Sequence, residues 1–403
     1  MNRRAFLWTA MLAGLGLASG CQAPGDPPGD PSASSAQAEP SPPPRTIAAE
    51  GHEARYYQRL AQDVVRCQLC WRGCTIAPGE VGFCRNRRNV DGVLISLVYG
   101  RPSALQADPI EKEPCFHMLP GATMLCTGTA GCNNRCLHCH NWPLSQRSID
   151  EIRSYTYTPA QVAAMAFETV TSDYSTSAPP IALAALPCDA VSFTYNEPTV
   201  FYEYMFDIAV LAKEQGLKAL FHTNGSMERE PLQEILPVMD AVTVDLKGFT
   251  ESFYRRVISG ELEPVLRTLE RIRRADVHLE IVNLVIPTHN DDPDDLRRMC
   301  AWIVANLGAE VPLHFTRFFP NYQLDRLTPT PVETLETAAD IADAEGIRYV
   351  YIGNMPGHRR NSTYCPACGE ELIARRHFTV NQVRLDEGKC PACGLAIPGI
   401  WER

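Results

Sequence analysis

Three groups of cysteines carry most of the chemistry open to this chain. Cys67, Cys70, Cys74 and Cys84 lie in CQLCWRGCTIAPGEVGFC, and Cys132, Cys136 and Cys139 in CNNRCLHCHNW. Cys365, Cys368, Cys390 and Cys393 form two C-x2-C-G knuckles. A two-residue gap lets two thiolates grip one metal from a single turn, so these eleven of the sixteen cysteines read as metal ligands. The last set closes a four-thiolate shell, and Gly369 and Gly394 permit the tight turns of a zinc-ribbon-like knuckle. The first set suits zinc, the first choice, or a second iron–sulfur cluster; its residue types do not decide between them. The middle set has only three thiolates. Three can hold three irons of a [4Fe-4S] cube and leave the fourth open, as a catalytic metal keeps an open position. Two bland alternatives stand beside that reading: Cys126 as a fourth structural ligand, or His138 or His140 completing a zinc site. Cys115, Cys126, Cys188 and Cys300 are isolated and read as small buried hydrophobes.

The elements that must position these residues follow from the apolar pattern. Short apolar runs at 122–129, 190–195, 217–223, 241–247, 278–287, 312–318 and 348–354 alternate with amphipathic stretches such as 198–216 and 292–308. Strand–helix alternation predicts an α/β fold with a parallel sheet and right-handed crossovers, a full or partial (β/α) barrel. A doubly wound open sheet has the same periodicity. In either fold the site lies at the C-terminal ends of the strands. The three-cysteine loop follows the first of these strands. Asn196 and Glu197 follow the second, His222 and Asn224 end the third, and Asp245 and Lys247 end the fourth. Later strand ends offer His314, Arg317 and His358 to a substrate, with core packing an equal alternative for each.

The rest of the chain bounds the function. A length of 403 residues predicts one main domain with satellites. Net charge is −10 with no long Lys/Arg run, which argues against a nucleic-acid partner. Residues 1–21 read as a signal peptide: Arg3 and Arg4, an apolar run, then Ala-Ser-Gly before Cys21. The paired arginines resemble a twin-arginine export signal, and the ending resembles a bacterial lipobox that would place a lipid on Cys21. Residues 22–52, rich in Pro and Ser, read as a disordered tether. These features predict a membrane-tethered lipoprotein, held through its N-terminal lipid or anchor only, with a cytoplasmic protein as the alternative. The domains expected downstream are a four-Cys module (53–118), the barrel (119–357) and the zinc-ribbon-like module (358–403).

C-x3-C-x2-C after the first strand resembles the radical S-adenosylmethionine (SAM) superfamily, and Cys139-His140-Asn141 resembles its pyruvate formate-lyase activating enzyme group. The ordered motifs CQLCWRGC, TAGCNNRCLHCHNW, YNEPTVFYEY, VDLKGF, HFTRFFP and YVYIGNMPGH are similar to the radical SAM member of the AmmeMemoRadiSam system, over roughly residues 65–401. The resemblance implies a [4Fe-4S] cluster on Cys132, Cys136 and Cys139 whose open iron chelates SAM. It implies reductive cleavage of SAM to a 5′-deoxyadenosyl radical that abstracts hydrogen from a substrate. Asn196, Glu197, Asn224, Asp245 and Lys247 would seat SAM. His138 stands where the superfamily usually carries an aromatic residue, and His222 where activating enzymes tend to carry an aspartate. A low-potential electron donor and AMMECR1-like and MEMO-like partners are implied as well. The competing expectations are a lipid-tethered metal-binding module without catalysis, and glycyl-radical activation of a partner protein.

Overall fold

The computed structural model describes residues 51–167 and 187–402. The expected signal peptide, Cys21 and the tether through residue 50 lie outside the described residues. His52, placed in the tether by composition, pairs with Ser96 in the short strand His52–Glu53.

Seven parallel strands occupy an eight-stranded sheet: β1 Thr123–Gly128, β2 Ala190–Phe193, β3 Lys218–Thr223, β4 Ala241–Asp245, β5 His278–Val285, β6 Leu313–Arg317 and β7 Val350–Gly353. Between them run α1 Pro159–Met165, α2 Tyr202–Glu214, α3 Arg229–Ile235, α4 Leu262–Arg274, α5 Pro293–Asn306 and α6 Val332–Ala344. The spatial order of the strands is their chain order. Winding in one direction with right-handed crossovers puts the helices on one face. A doubly wound sheet reverses its strand order at a switch point, so that alternative is excluded. Among the described residues no ladder joins the two edges, and the barrel is partial.

The far edge is an antiparallel strand, Ala104–Pro109, laid on β1 with Leu105 opposite Thr127. It was not among the expected strands, and it moves residues 104–109 from the N-terminal module into the barrel sheet.

Local chemistry explains the elements. β2 is buried at all four positions, as a parallel strand covered on both faces should be. Asp292 caps α5 by accepting from the Asp294 and Asp295 amides at 2.9 and 3.1 Å, with Pro293 at the first helical position. Phe193, Phe221, Ile281 and Phe315 from the strands pack with Ile208, Leu269, Ile303 and Ala338 from the helices in one core.

Each satellite is tied down by one buried arginine. The N-terminal module holds two small antiparallel sheets. Its Arg87 forms a two-toothed pair with Glu203 of α2 at 2.9 and 2.8 Å, both side chains 1% exposed. In the C-terminal module, strands Thr363–Tyr364, Glu371–Arg376 and Thr379–Val383 pack Leu372 and Ile373 against Phe116, Tyr349 and Tyr351. There Arg375 is fully enclosed, pairing with Glu111 at 3.3 Å and donating to the Phe116 carbonyl at 2.6 Å.

Candidate functional site

The three-cysteine loop leaves β1 at Gly128 and is held from several sides. Asn196, at the end of β2, accepts from the Thr129 amide at 2.9 Å and donates to the Ala130 and Gly131 carbonyls at 2.9 Å each. Asn141 donates to the Tyr195 carbonyl at 2.7 Å. The Arg135 and Leu137 amides bond to the Ile258 and Val257 carbonyls beyond β4. Gly131 sits at φ +76°, and a Cβ there would meet the Cys84 carbonyl oxygen at 2.2 Å. The loop is therefore pressed against the N-terminal module, where only glycine fits.

Cys132, Cys136 and Cys139 line a cavity of about 150 Å3 together with Asn196, Glu197, Asn224, Asp245 and Lys247. All five residues expected to seat SAM thus border the cysteines. Their engagements differ. Asn196 spends its amide on the loop. Glu197 opens the helical turn at Pro198, accepting from the Thr199 amide and hydroxyl, the Thr223 hydroxyl and the Asn224 amide. One carboxylate oxygen takes three of these bonds; the other takes only the Asn224 amide, at 2.7 Å. Asn224 donates to Asn133 Oδ1 at 2.7 Å and lies 3.9 Å from Cys132 Sγ.

Asp245 binds Lys247 Nζ at 2.7 Å and His222 Nε2 at 3.2 Å, and His222 Nδ1 faces Glu113 at 3.3 Å. Burial opposes the charge on His222, but Asp245 and Glu113 outweigh it and raise its pKa to about 10. The same exchange holds Asp245 below the usual carboxylate range and Lys247 above the usual amine range, again against burial. The cavity is thus lined by a fixed, alternating row of charges.

The bland alternatives for the loop find no geometric support. Cys126 is enclosed in the core, its thiol 3.5 Å from Glu113 Oε1, and does not border the cavity. Among the described residues, no group of three or more ligand atoms within 4.8 Å of one another includes Cys132, Cys136, Cys139, His138 or His140. The three sulfurs face a cavity rather than one small ion. Burial pushes the Cys136 thiol up to about 12 and the Cys132 thiol well above its ordinary value. Their thiolates therefore need a cationic centre beside them, and three soft donors around an open space fit an iron–sulfur cluster. The isolated cysteines 115, 126, 188 and 300 are all buried. Cys115 Sγ lies within 4.8 Å of ligand atoms of His278 and Glu280. That carboxylate is already satisfied by His278, His314 and the His117 amide at 2.9, 2.6 and 2.7 Å.

A second cavity, about 390 Å3, shares Cys136, Cys139, Asn141, Tyr195, His222, Asp245 and Lys247 with the first. His138 borders it, and its buried Nδ1 has no hydrogen-bond partner. Burial, then Lys247, lowers its pKa to about 3, so the ring is neutral. His314 also lines this cavity, whereas Arg317 donates to the Thr330 carbonyl and His358 faces Glu336, away from both cavities. Sequence reasoning missed Glu113, which faces His222, and Phe116, His377 and Phe378, which line the larger cavity. No local signal marks them. At the knuckles, Cys365, Cys368, Cys390 and Cys393 have all four sulfurs within 4.8 Å of one another, an arrangement able to bind a metal ion.

Comparison with known proteins places this geometry. Residues 127–300 match the Radical SAM superfamily model. An uncharacterised protein of Methanocaldococcus jannaschii is 43% identical over 347 residues, spanning 86% of this chain and 98% of its own length. Pyruvate formate-lyase 1-activating enzyme of Escherichia coli strain K12 is 23% identical over 233 residues, 55% of this chain and 89% of the enzyme. A crystallised domain of pyruvate-formate lyase-activating enzyme from Bacteroides vulgatus is 19% identical, covering 41% of this chain and 99% of that domain, with a TM-score of 0.37.

Proposed function

The chain belongs to the radical SAM superfamily, and from that premise we propose that it is an activating-enzyme-like catalyst that cleaves SAM reductively and abstracts hydrogen from a substrate. One observation carries the reading: the three cysteines and the Asp245–Lys247 pair line one cavity, continuous in its lining with a larger one. Cys132, Cys136 and Cys139 would hold a [4Fe-4S] cluster, which when bound and reduced would supply the electron for cleavage of a carbon–sulfur bond of SAM.

The protein's own groups bind and orient. Lys247, held by Asp245, offers its ammonium to the carboxylate of the methionine moiety. The less occupied oxygen of Glu197 offers an acceptor to the methionine ammonium, and Asn224 fixes that oxygen through its amide. His138 borders the larger cavity as a neutral imidazole on which an adenine can stack. Phe116 and Phe378 wall the larger cavity with apolar surface and keep water from a reactive intermediate.

The finer assignments belong to the same proposal. Zinc at the C-terminal knuckles is supported by the four close sulfurs. Action on a partner protein is supported by the similarity to activating enzymes, and AMMECR1-like and MEMO-like partners by the run of ordered motifs; co-purification tests both. Export and lipidation at Cys21 rest on residues 1–21 and are tested by cell fractionation. The central test is anaerobic incubation of the cluster-loaded protein with dithionite and SAM. Release of 5′-deoxyadenosine, lost in Cys136→Ala, is expected; a full cluster with no release refutes the reading.

A further inference from the structure

We propose that Cys67, Cys70, Cys74 and Cys84 hold a second iron–sulfur cluster, of the four-thiolate [4Fe-4S] type, and not zinc. The argument starts from spacing. Four thiolates on one zinc ion, each about 2.3 Å from the metal, stand about 3.8 Å apart at the corners of a tetrahedron. The C-terminal knuckles meet that demand, with Cys365–Cys393 and Cys368–Cys390 sulfurs at 3.5 and 3.6 Å. The N-terminal set does not. Among the described residues no three of its sulfurs lie within 4.8 Å of one another, a property it shares with the three-cysteine loop. In a cube each thiolate takes a different iron, so the sulfurs stand further apart than around one ion.

The four cysteines also surround space. They line a cavity of about 20 Å3 with Leu69, Ile76 and Val200. That is more than the ~10–15 Å3 that admits one water, and thiolates closed on a single ion leave no such gap. Two residues lining the cavity carry buried N–H groups without a well-formed hydrogen bond: Asn133 Nδ2, on a fully buried residue whose side chain faces Cys70, and Arg87 Nε, on a residue 1% exposed. Each has its other atoms engaged, Asn133 Oδ1 by Asn224 and the Arg87 terminal nitrogen by Glu203. Unpartnered buried donors are costly, and the bridging sulfides and thiolates of a cluster are the acceptors this cavity calls for.

The position adds a role. Asn133 follows Cys132 and lines the N-terminal cavity, and its Oδ1 accepts from Asn224 Nδ2, which lies 3.9 Å from Cys132 Sγ. A cluster here takes one electron from a low-potential one-electron donor and passes it to its neighbour at the open site, with no proton or bond change. The metal at these four cysteines is independent of SAM cleavage, whereas the relay role rests on the cluster proposed at Cys132, Cys136 and Cys139.

The test is metal analysis and spectroscopy of the full chain, purified and reconstituted anaerobically with 57Fe. Roughly eight irons and about one zinc per chain are expected; about four irons and two zincs overturn the proposal. In the Cys132→Ser/Cys136→Ser/Cys139→Ser variant, about half the iron should remain as a cubane Mössbauer signal indifferent to SAM. Loss of all iron from that variant, with zinc still bound in the wild type at two per chain, refutes it. Wild-type protein reduced at both clusters should show a spin-coupled EPR signal that collapses to an uncoupled one in the variant. An uncoupled wild-type signal beside full iron content would remove the relay role.

Discussion

At the C-terminal knuckles four sulfurs crowd within 4.8 Å of one another; in the loop after β1 three sulfurs face a cavity of about 150 Å3. The knuckles are nearly complete in their own sequence. Two C-x2-C-G turns deliver the ligands, and short-range amide bonds such as Gly369 to Cys365 and Gly394 to Cys390 shape each turn. The loop is incomplete alone. Its walls come from the ends of β2, β3 and β4, and its backbone is pinned by Asn196, by the segment after β4 and by the N-terminal module. A closed metal site can be built locally, whereas an open one needs distant chain to keep its free side shaped.

The comparison breaks first at the cysteines. Cys136→Ala should reduce 5′-deoxyadenosine release to background while leaving zinc content unchanged. Cys368→Ser should do the reverse, losing zinc and lowering the melting temperature while the cluster absorbance survives. Metal analysis of both proteins that shows joint loss of iron and zinc would contradict the separation. Next comes Gly131→Ala, which places a methyl group against the Cys84 carbonyl at 2.2 Å and strains φ. Iron incorporation should fall severalfold with zinc intact.

The tethering arginines sharpen the contrast further. Arg87→Met and Arg375→Met each strand a buried carboxylate, at a cost of about 3–5 kcal/mol in urea unfolding. Only the first should lower iron content at a given denaturant concentration, because only Arg87 borders the N-terminal cysteines. A smaller effect is expected of Lys247→Met, which removes one binding charge without touching a sulfur. KM for SAM should rise roughly tenfold, about 1.4 kcal/mol, with the cluster spectrum unchanged.

Two further effects lie in pH, and their signs oppose. His222, beside the cysteines, is raised from 6.5 to about 10. The stability it contributes is complete below 6.5 and is lost as pH climbs toward 10. His117, under the C-terminal module, is lowered by burial from 6.5 to about 3. There the unfolded chain binds the proton more readily, so stability is lost as pH falls from 6.5 toward 3. Urea midpoints across the pH range should flatten on the alkaline side in His222→Gln and on the acid side in His117→Gln.

Much of the fold was legible because its signals are local. All seven expected strands are present, since parallel strands buried on both faces leave unbroken apolar runs. Ala104–Pro109 was missed because an edge strand carrying Gln106, Asp108 and Pro109 has no such run. In the site, residues at strand ends were identifiable because in either parallel fold the C-terminal strand ends form the site. The engagement of each was not. Asn196 looked like a SAM contact and spends its amide on the loop. Glu197 reads equally as a ligand and as a helix cap, and its oxygens are shared unequally between four donors.

The sequence by itself determined the ligand inventory, the count of three against four, the strand–helix alternation and the residues at the strand ends. These depend on spacing and periodicity, which a chain carries without folding. Only the tertiary structure decided how far apart the sulfurs stand, that His377 and Phe378 reach the larger cavity, and that Asn133 and Arg87, with buried unpaired N–H groups, line the cavity of the N-terminal cysteines. Those facts depend on contacts between residues far apart in the chain, formed by burial of apolar faces and of the Arg87–Glu203 and Arg375–Glu111 pairs, and no local pattern encodes such distances.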